Sequence, residues 1–112
     1  MRRGDIYDAR LSPTEGSEQA GVRSVAIVSR DAINRYSPVI VVVPLTKASN
    51  VKRDYPSNVR IAKGEDGLTV DSIAMGGQIR AIAKIRLLRH RGRLSAEIMQ
   101  QVDEALCITL DL

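Results

Sequence analysis

Seven polar residues lie at the ends of predicted strands and carry groups suited to acid–base and anion chemistry. They are Glu18, Gln19, Arg23, Thr46, Lys47, Gln78 and Arg80. Gln78 and Arg80 are two residues apart, so we expect them to share one face of a strand. Because strand ends of a small sheet can converge at one edge, the seven side chains can form a single site.

This set suits cleavage of an RNA phosphodiester, which needs a base, a donor for the charge on phosphorus and an acid. Glu18 can take a proton, Arg23 can donate a bidentate pair, and the Thr46 hydroxyl can add a neutral donor. Each residue also has an ordinary interpretation, as a solvated loop acid, a surface arginine or the end of a strand. Spacing alone favours those ordinary interpretations.

Other catalytic arrangements are missing from the sequence. It contains no phosphate-binding loop and no Cys-x-x-Cys motif, and its single histidine, His90, cannot pair with another to hold a metal. His90 lies among arginines, which indicates a solvated or partner-facing side chain. The single cysteine, Cys107, falls in an apolar helical pattern that predicts a buried structural thiol, and it fits a reducing compartment.

Composition and charge limit the classes to which the protein can belong. The length of 112 residues predicts one domain over residues 1–112. The chain has 17 Lys and Arg against 13 Asp and Glu, a net charge of +4. This charge fits a polyanion or an acidic protein partner, and it equally fits a solvated basic surface. No apolar run approaches the roughly 20 residues needed to span a bilayer, and we expect a cytoplasmic protein without a membrane partner.

Hydrophobic periodicity predicts a mainly β protein with a C-terminal helix. The predicted strands cover residues 5–11, 22–29, 38–46, 59–61, 68–75 and 78–82. A short helical turn is predicted at 31–34 and a turn at 91–93. Ser95 is suited to cap a final helix that we expect to pack on the barrel or on a second subunit. The apolar face of this helix is formed by Ile98, Val102, Ala105, Leu106, Thr109 and Leu110. A small bent antiparallel sheet closed as a barrel is expected, with a five-stranded sandwich as the alternative.

Several separated motifs together resemble one family. The stretch RRGDIYDARLSPTEGSEQAGVRSVAIVS resembles the opening of the MazF/PemK toxins, the endoribonucleases of bacterial toxin–antitoxin pairs. The segments VVVPLT and GLTVDSIAMGGQIRAIAKIRLL resemble the third strand and the later Gln-Ile-Arg segment of that family. The end of the chain, GRLSAEIMQQVDEALCITLDL, is similar to the closing helix. The resemblance covers nearly the whole chain.

The resemblance implies a small SH3-like β-barrel (CcdB/PemK-like) and a homodimer with single-stranded RNA bound across the groove between the subunits. It implies sequence-specific cleavage of mRNA without metal or cofactor, leaving a cyclic phosphate and a 5′-hydroxyl. The implied protein partner is an acidic cognate antitoxin with a disordered tail.

The same resemblance assigns roles to the polar residues. It implies that Arg23 and Thr46 are the catalytic pair, with Glu18 close by as the base. Ser17 and Gln19 would bind RNA or position the site, and a further set would do the same: Lys47, Gln78 and Arg80. The loop that holds Glu18 would cover the site and meet substrate and antitoxin alike.

Three departures from the family pattern keep alternatives open. Ser24 stands where the family usually has proline, and Ala81 and Ala83 replace a threonine and an aspartate. The first strand offers only Tyr7 where many members carry Trp or Phe, which predicts poorer base stacking. One alternative is a non-catalytic or weakly catalytic barrel that binds nucleic acid or protein. Another is a toxin that acts on a protein such as a topoisomerase.

Overall fold

The fold is mainly β and ends in a helix, as the sequence predicts. The computed structural model describes residues 1–11, 21–64 and 66–112. The strands are β1 (Asp5–Arg10), β2 (Val22–Ile27), β3 (Val39–Lys47), β4 (Asn58–Ile61), β5 (Ser72–Met75), β6 (Arg80–Ala83) and β7 (Leu87–Arg93). The helices are α1 (Asp31–Tyr36) and α2 (Ala96–Leu110), and short 3₁₀ turns occupy Ala48–Asn50, Gly76–Gln78 and Lys84–Arg86.

All strand pairs are antiparallel, and the long strand β3 organises the sheet. The strand order is β4-β5-β3-β2-β1-β7, with β6 paired to β3 beside that path. Along β3, residues 39–42 pair with β6, residues 42–44 with β2 and residues 45–47 with β5. Because β4 and β7 end this order in the described part of the chain, closure into a barrel is not confirmed.

The core is aliphatic and falls into two clusters. The helix-side cluster includes Ile6, Ala26, Val43, Leu45, Ile61, Leu94 and the buried residues of α2. The second cluster contains Ala9, Leu11, Val25, Ile27, Ile40, Val42 and Ile82. Each fully buried Val, Leu or Ile side chain stabilises the fold by about 1.5–3 kcal/mol relative to leaving it in water. The alternation of β-branched residues along β2 and β3 supplies both clusters.

Helix α2 begins as the sequence predicts. The Ser95 Oγ accepts a hydrogen bond from the backbone N–H of Ile98 at 3.1 Å, so the cap is confirmed. Four predicted face residues are buried: Ile98, Val102, Ala105 and Leu106. Leu110 is 51% exposed in the single chain, so this side chain does not pack on the described part of the sheet. Helix α2 packs on β4 and on the Gly76–Gln78 turn, and its last turn is largely exposed.

The prediction of a buried Cys107 is wrong, because the residue is exposed. One residue along a helix rotates the side chain by about 100°. Since Ala105 and Leu106 form the edge of the buried face, residue 107 points away from it.

The predicted turn at 91–93 is instead the end of strand β7. This strand pairs with β1 and lies at one end of the strand order. Its sequence, LLRHRGR, does not predict a strand, because the side chains are mostly basic rather than β-branched. Charged side chains are typical of edge strands, where they discourage pairing with other chains.

The Gln-Ile-Arg segment also differs from the prediction. Gln78 ends the 3₁₀ turn and β6 begins only at Arg80, so the two residues do not share one strand face. Likewise β5 begins at Ser72 rather than at residue 68. Within the described ranges, no helix is long and apolar enough to cross a membrane.

Candidate active site

A cleft of about 410 Å³ brings together residues from five strands, namely β1, β2, β3, β5 and β7. Three of the predicted site residues line it, namely Arg23, Thr46 and Lys47. Arg23 comes from β2, and Thr46 and Lys47 come from β3. Its floor is apolar, since the buried side chains of Leu45 and Leu68 also line it. The cleft therefore opens at one end of the helix-side cluster.

The positions of Arg23 and Thr46 follow from the way β2 and β3 separate. Val25 is paired with Pro44, Arg23 lies two residues before that pair, and Thr46 lies two residues after it. At Thr46 the strand β3 pairs with β5 instead of β2. Both residues thus lie where the two strands part and the cleft opens between them. Arg23 is exposed, and its Nη1 donates a hydrogen bond to the Val22 carbonyl at 3.1 Å.

The Thr46 hydroxyl is held by a neighbour that the sequence did not single out. Thr46 is 9% exposed, and its Oγ1 accepts a hydrogen bond from the Asn50 Nδ2 at 3.2 Å. A hydroxyl is one donor and two acceptors, so this bond leaves the Thr46 proton available to a ligand. Asn50 ends the 3₁₀ turn that follows β3.

Asp8, Ser24 and Arg91 also line the cleft and were missed from the sequence. Ser24 lies opposite Asp8 in the β1–β2 register, and its Oγ donates to the Asp8 Oδ1 at 3.3 Å. The Arg91 Nη1 lies 3.6 Å from the Asp8 Oδ2. A signal existed, because Asp8 lies two residues after the buried Ile6 and so is expected on the same, inward face of β1.

Residues 68–70 form another wall of the cleft, and the preceding residues tie it to β7 and α2. The Asp66 Oδ1 accepts a hydrogen bond from the Ser95 N–H at 3.0 Å. Gly67 has φ +85°, and a Cβ there would lie 2.6 Å from the Arg91 carbonyl oxygen. Only glycine therefore fits at position 67. Burial raises the pKa of the Asp66 carboxyl, and the Ser95 hydrogen bond partly opposes that change.

Gln78 and Arg80 lie outside the cleft. Gln78 lines a neighbouring groove of about 550 Å³ together with Lys52, Arg53 and Tyr55. Asn50 lines both the cleft and the groove, so the two are contiguous. The Arg80 Nη1 donates to the Leu11 carbonyl at 3.4 Å.

The remaining predicted residues, Ser17, Glu18 and Gln19, lie outside the described residues. The two alanines that depart from the family pattern are on β6, where Ala81 pairs with Val41 and Ala83 with Val39. Neither alanine lines the cleft. Their replacement of a hydroxyl and a carboxylate therefore changes a surface away from Arg23 and Thr46.

The charge of the cleft favours an anion. Its described lining carries three cations, Arg23, Lys47 and Arg91, against the single carboxylate of Asp8. His90 is half exposed on β7, where its ring packs edge-on against Tyr7 with 5.1 Å between centroids. Among the described residues, no group of three His, Cys, Asp or Glu is placed to hold a metal ion.

Sequence comparison gives a family match over almost the whole chain. The model of the PemK-like, MazF-like toxins of type II toxin–antitoxin systems matches residues 2–110. The chain is 43% identical over 112 residues to the endoribonuclease MazF of Staphylococcus saprophyticus, covering all of this chain and 92% of that protein. The resemblance inferred from the separated motifs is therefore confirmed.

Structural comparison agrees with the sequence match. A mycobacterial endoribonuclease solved in complex with its cognate antitoxin is 26% identical, with a TM-score of 0.83 over 100% of this chain and 96% of that one. MazF from Deinococcus radiodurans has a TM-score of 0.84 at 20% identity, over 100% and 97% of the two chains. At that identity the second match concerns the fold alone.

Proposed function

Because the chain belongs to the PemK-like, MazF-like toxins of type II toxin–antitoxin systems, we propose that it is a sequence-specific endoribonuclease. It cleaves single-stranded RNA without a metal ion and leaves a cyclic phosphate and a 5′-hydroxyl. The observation that carries this proposal is the common cleft of Arg23 and Thr46. The activity named for the staphylococcal relative supports it.

Arg23 is proposed to stabilise the charge that develops on phosphorus. When the 2′-hydroxyl oxygen attacks, the phosphate passes through a pentacoordinate state with negative charge on its non-bridging oxygens. The exposed guanidinium at the mouth of the cleft can donate two parallel hydrogen bonds to those oxygens. Such a donor is worth most where it is aimed at charge present only in the transition state.

Thr46 is proposed to donate its hydroxyl proton to the same phosphate. The hydrogen bond from Asn50 fixes the position of the oxygen without using the proton. Because Thr46 is nearly buried, the hydroxyl reaches a ligand only within the cleft.

Glu18 is proposed as the base that accepts the 2′-hydroxyl proton, on the strength of the family resemblance. The bond from phosphorus to the 5′ oxygen breaks, and the departing oxygen takes a proton from water. Ser17, Gln19, Lys47, Gln78 and Arg80 are proposed to bind or position RNA. The placement of Lys47 in the cleft supports its role. Gln78 lies in the contiguous groove, where Tyr55 can stack on a base and two cations can meet phosphates. Arg80 has the weakest support, since it lines neither cavity.

A homodimer is proposed, with a surface of exposed apolar side chains as the contact between subunits. Ile33, Tyr36, Val39 and Ile85 are 41%, 80%, 44% and 91% exposed. The elements that bear them are neighbours, because α1 contacts β3, and Val39 pairs with Ala83 just before the turn that holds Ile85. Exposed apolar side chains grouped in this way are typical of interaction surfaces.

The proposed protein partner is an acidic antitoxin whose disordered tail folds over the cleft. The net charge of +4 supports it, as does the mycobacterial structural relative solved with its cognate antitoxin. We further propose a single domain over residues 1–112 that closes as an SH3-like barrel, and a cytoplasmic location, where mRNA is present.

The proposed activity is tested by incubating the purified protein with a long single-stranded RNA in excess chelator and mapping the 5′ ends of the products. Discrete fragments with 5′-hydroxyl ends are expected. The same RNA annealed to its complement is the matched control and stays intact. Intact single-stranded RNA that nevertheless shifts on a gel would support a binding protein instead. Cleavage that requires added Mg²⁺ would contradict the metal-independent mechanism.

A further inference from the structure

The carboxylate of Asp8 has no role in the proposed chemistry, yet it lies in the cleft. It is the single acidic group among the described lining residues. A site that bound only phosphates would gain affinity from positive charge, and a carboxylate there weakens RNA binding. An acid in this position therefore calls for a ligand group that donates hydrogen bonds.

Asp8 keeps bonding capacity that faces the cleft. Its carboxylate accepts one hydrogen bond from the Ser24 Oγ at 3.3 Å, while a carboxylate offers about four acceptor positions. Its side chain is 23% exposed, and that of Arg91 is 25% exposed. Both side chains are thus partly buried in the wall of the cleft, and each keeps an exposed edge that a ligand can contact.

The contact between Asp8 and Arg91 does little to hold the fold. The 3.6 Å separation of Nη1 and Oδ2 is too long for a hydrogen bond. The strands that carry the two residues are already joined by backbone pairing at five positions. Partly exposed ion pairs of this kind contribute little to stability. A ligand that lies between the two groups can therefore separate them at small cost.

The chemistry of the two groups matches the edge of a base rather than a phosphate. A carboxylate accepts from an exocyclic amino group, and a guanidinium donates to a neighbouring carbonyl or ring nitrogen. Guanine fits best, because its N1–H and N2–H₂ groups can meet both carboxylate oxygens while its O6 faces the arginine. Cytosine and adenine offer one amino group each. In uracil the N3–H lies between two carbonyl oxygens, which the carboxylate repels.

We propose that Asp8 and Arg91 form a base-reading pair that selects a nucleotide with an exocyclic amino group, guanine above all, and rejects uracil. The nucleotide read lies beside the scissile phosphate, because Asp8 is opposite Ser24, the neighbour of Arg23. This inference rests on the proposed RNA cleavage and adds the sequence preference of the same cleft. Single-stranded RNA is commonly read in this way, by hydrogen bonds to exposed base edges.

The test compares the cleavage preferences of the parent protein and Asp8→Asn on a pool of RNAs randomised around the cut. The parent should deplete uracil at one position beside the cut. Asp8→Asn should accept uracil there, since an amide donates to O4 and accepts from N3–H. One good bidentate contact discriminates by about 10- to 100-fold, and a change of that size is expected at this position alone.

Asp111→Asn is the matched control, because it removes the same charge at an exposed position that favours asparagine by its positive φ. It should leave every preference unchanged. If Asp8→Asn cleaves too slowly to map, competition binding with an RNA carrying a 2′-deoxy nucleotide at the cut reports the same preference. An unchanged preference at every position, or a uniform loss of cleavage with no change in binding preference, would overturn the proposal. Cleavage by the parent protein tests the nuclease separately.

Discussion

The two ends of the helix-side cluster show how differently one sheet can be used. Under α2, the side chains of Val102, Ala105 and Ile61 are almost completely buried, and the contact is apolar. At the cleft, the same layer ends in Leu45 and Leu68, and polar side chains line the opening above them. One end is covered by a helix, whereas the described residues leave a cleft at the other end.

The difference lies in what covers each end. Helix α2 supplies an apolar face with the period of a helix, so burial accounts for its position. At the cleft, β2 and β3 separate after the Val25–Pro44 pair, which leaves room that residues 1–11, 21–64 and 66–112 do not fill. We therefore expect substitutions under the helix to change stability and substitutions in the cleft to change chemistry.

The largest expected effect is on catalysis at the cleft end. Arg23→Ala should lower single-turnover RNA cleavage by about 10³-fold, because it removes the donor proposed for the transition state. The thermal midpoint should hardly change, since Arg23 is exposed. Arg60→Ala is the matched control, as Arg60 is also exposed but lies on β4 outside the cleft. Equal losses in both variants would make the effect one of net charge rather than of position.

The next effect is on stability at the helix end. Ile61 is fully buried, so Ile61→Ala should lower the free energy of unfolding by about 2–5 kcal/mol. Denaturant unfolding measures this loss. Cleavage per folded molecule should stay close to that of the parent protein at a temperature where the variant is folded. A selective loss of cleavage without loss of stability would show that the two ends are not separable.

A smaller effect is expected at the cap of α2. Ser95→Ala removes the acceptor for the Ile98 N–H and should cost about 0.5–2 kcal/mol of stability. Ser95→Asp is the matched variant, because aspartate restores an acceptor at the same position. If Ser95→Asp is no more stable than Ser95→Ala, the side-chain cap is not what fixes the start of the helix.

The smallest effect concerns Asp66, which joins the two ends through its hydrogen bond with Ser95. Its Oδ2 is buried and accepts no hydrogen bond from the described residues. A raised pKa in the folded state means that this carboxyl adds stability below its unfolded value of 3.8, and the contribution is lost as pH rises through the folded pKa. At neutral pH the ionised Asp66 carboxylate therefore lowers the stability of the folded state.

Asp66→Asn should accordingly raise the thermal midpoint at pH 7, and the gain should shrink as the pH approaches 4. Asparagine keeps the acceptor for Ser95 and tolerates the φ of 56° at this position. Melting curves at several pH values measure the difference. A difference that does not depend on pH would contradict the role of the buried charge.

The fold was largely predictable where burial sets the pattern. The β-branched runs in the sequence predict strands β2 and β3. The 3.6-residue period of Ile98, Val102 and Ala105 predicts helix α2. Strand β7 was not predictable, because an edge strand needs no apolar alternation and its pairing with β1 depends on residues far away in sequence. Cys107 was misjudged because a broad apolar pattern does not locate the edge of the buried face.

For the site, the family resemblance identified Arg23 and Thr46, and the structure places both in one cleft. Asp8, Asn50 and Arg91 escaped notice because each lies in a segment that shows no catalytic motif. What brings them together is the register of β1 with its two neighbours and the turn after β3. The local spacing of residues does not predict such pairing between strands that are distant in sequence.

A double-mutant cycle tests most directly whether Arg23 and Thr46 act on one phosphodiester. Thr46→Val alone should slow single-turnover cleavage by about 10²-fold. Residues that act as a unit are strongly non-additive. We therefore expect Arg23→Ala combined with Thr46→Val to cleave about as slowly as Arg23→Ala alone. Losses that simply multiply in the double variant would show independent roles and would contradict the account.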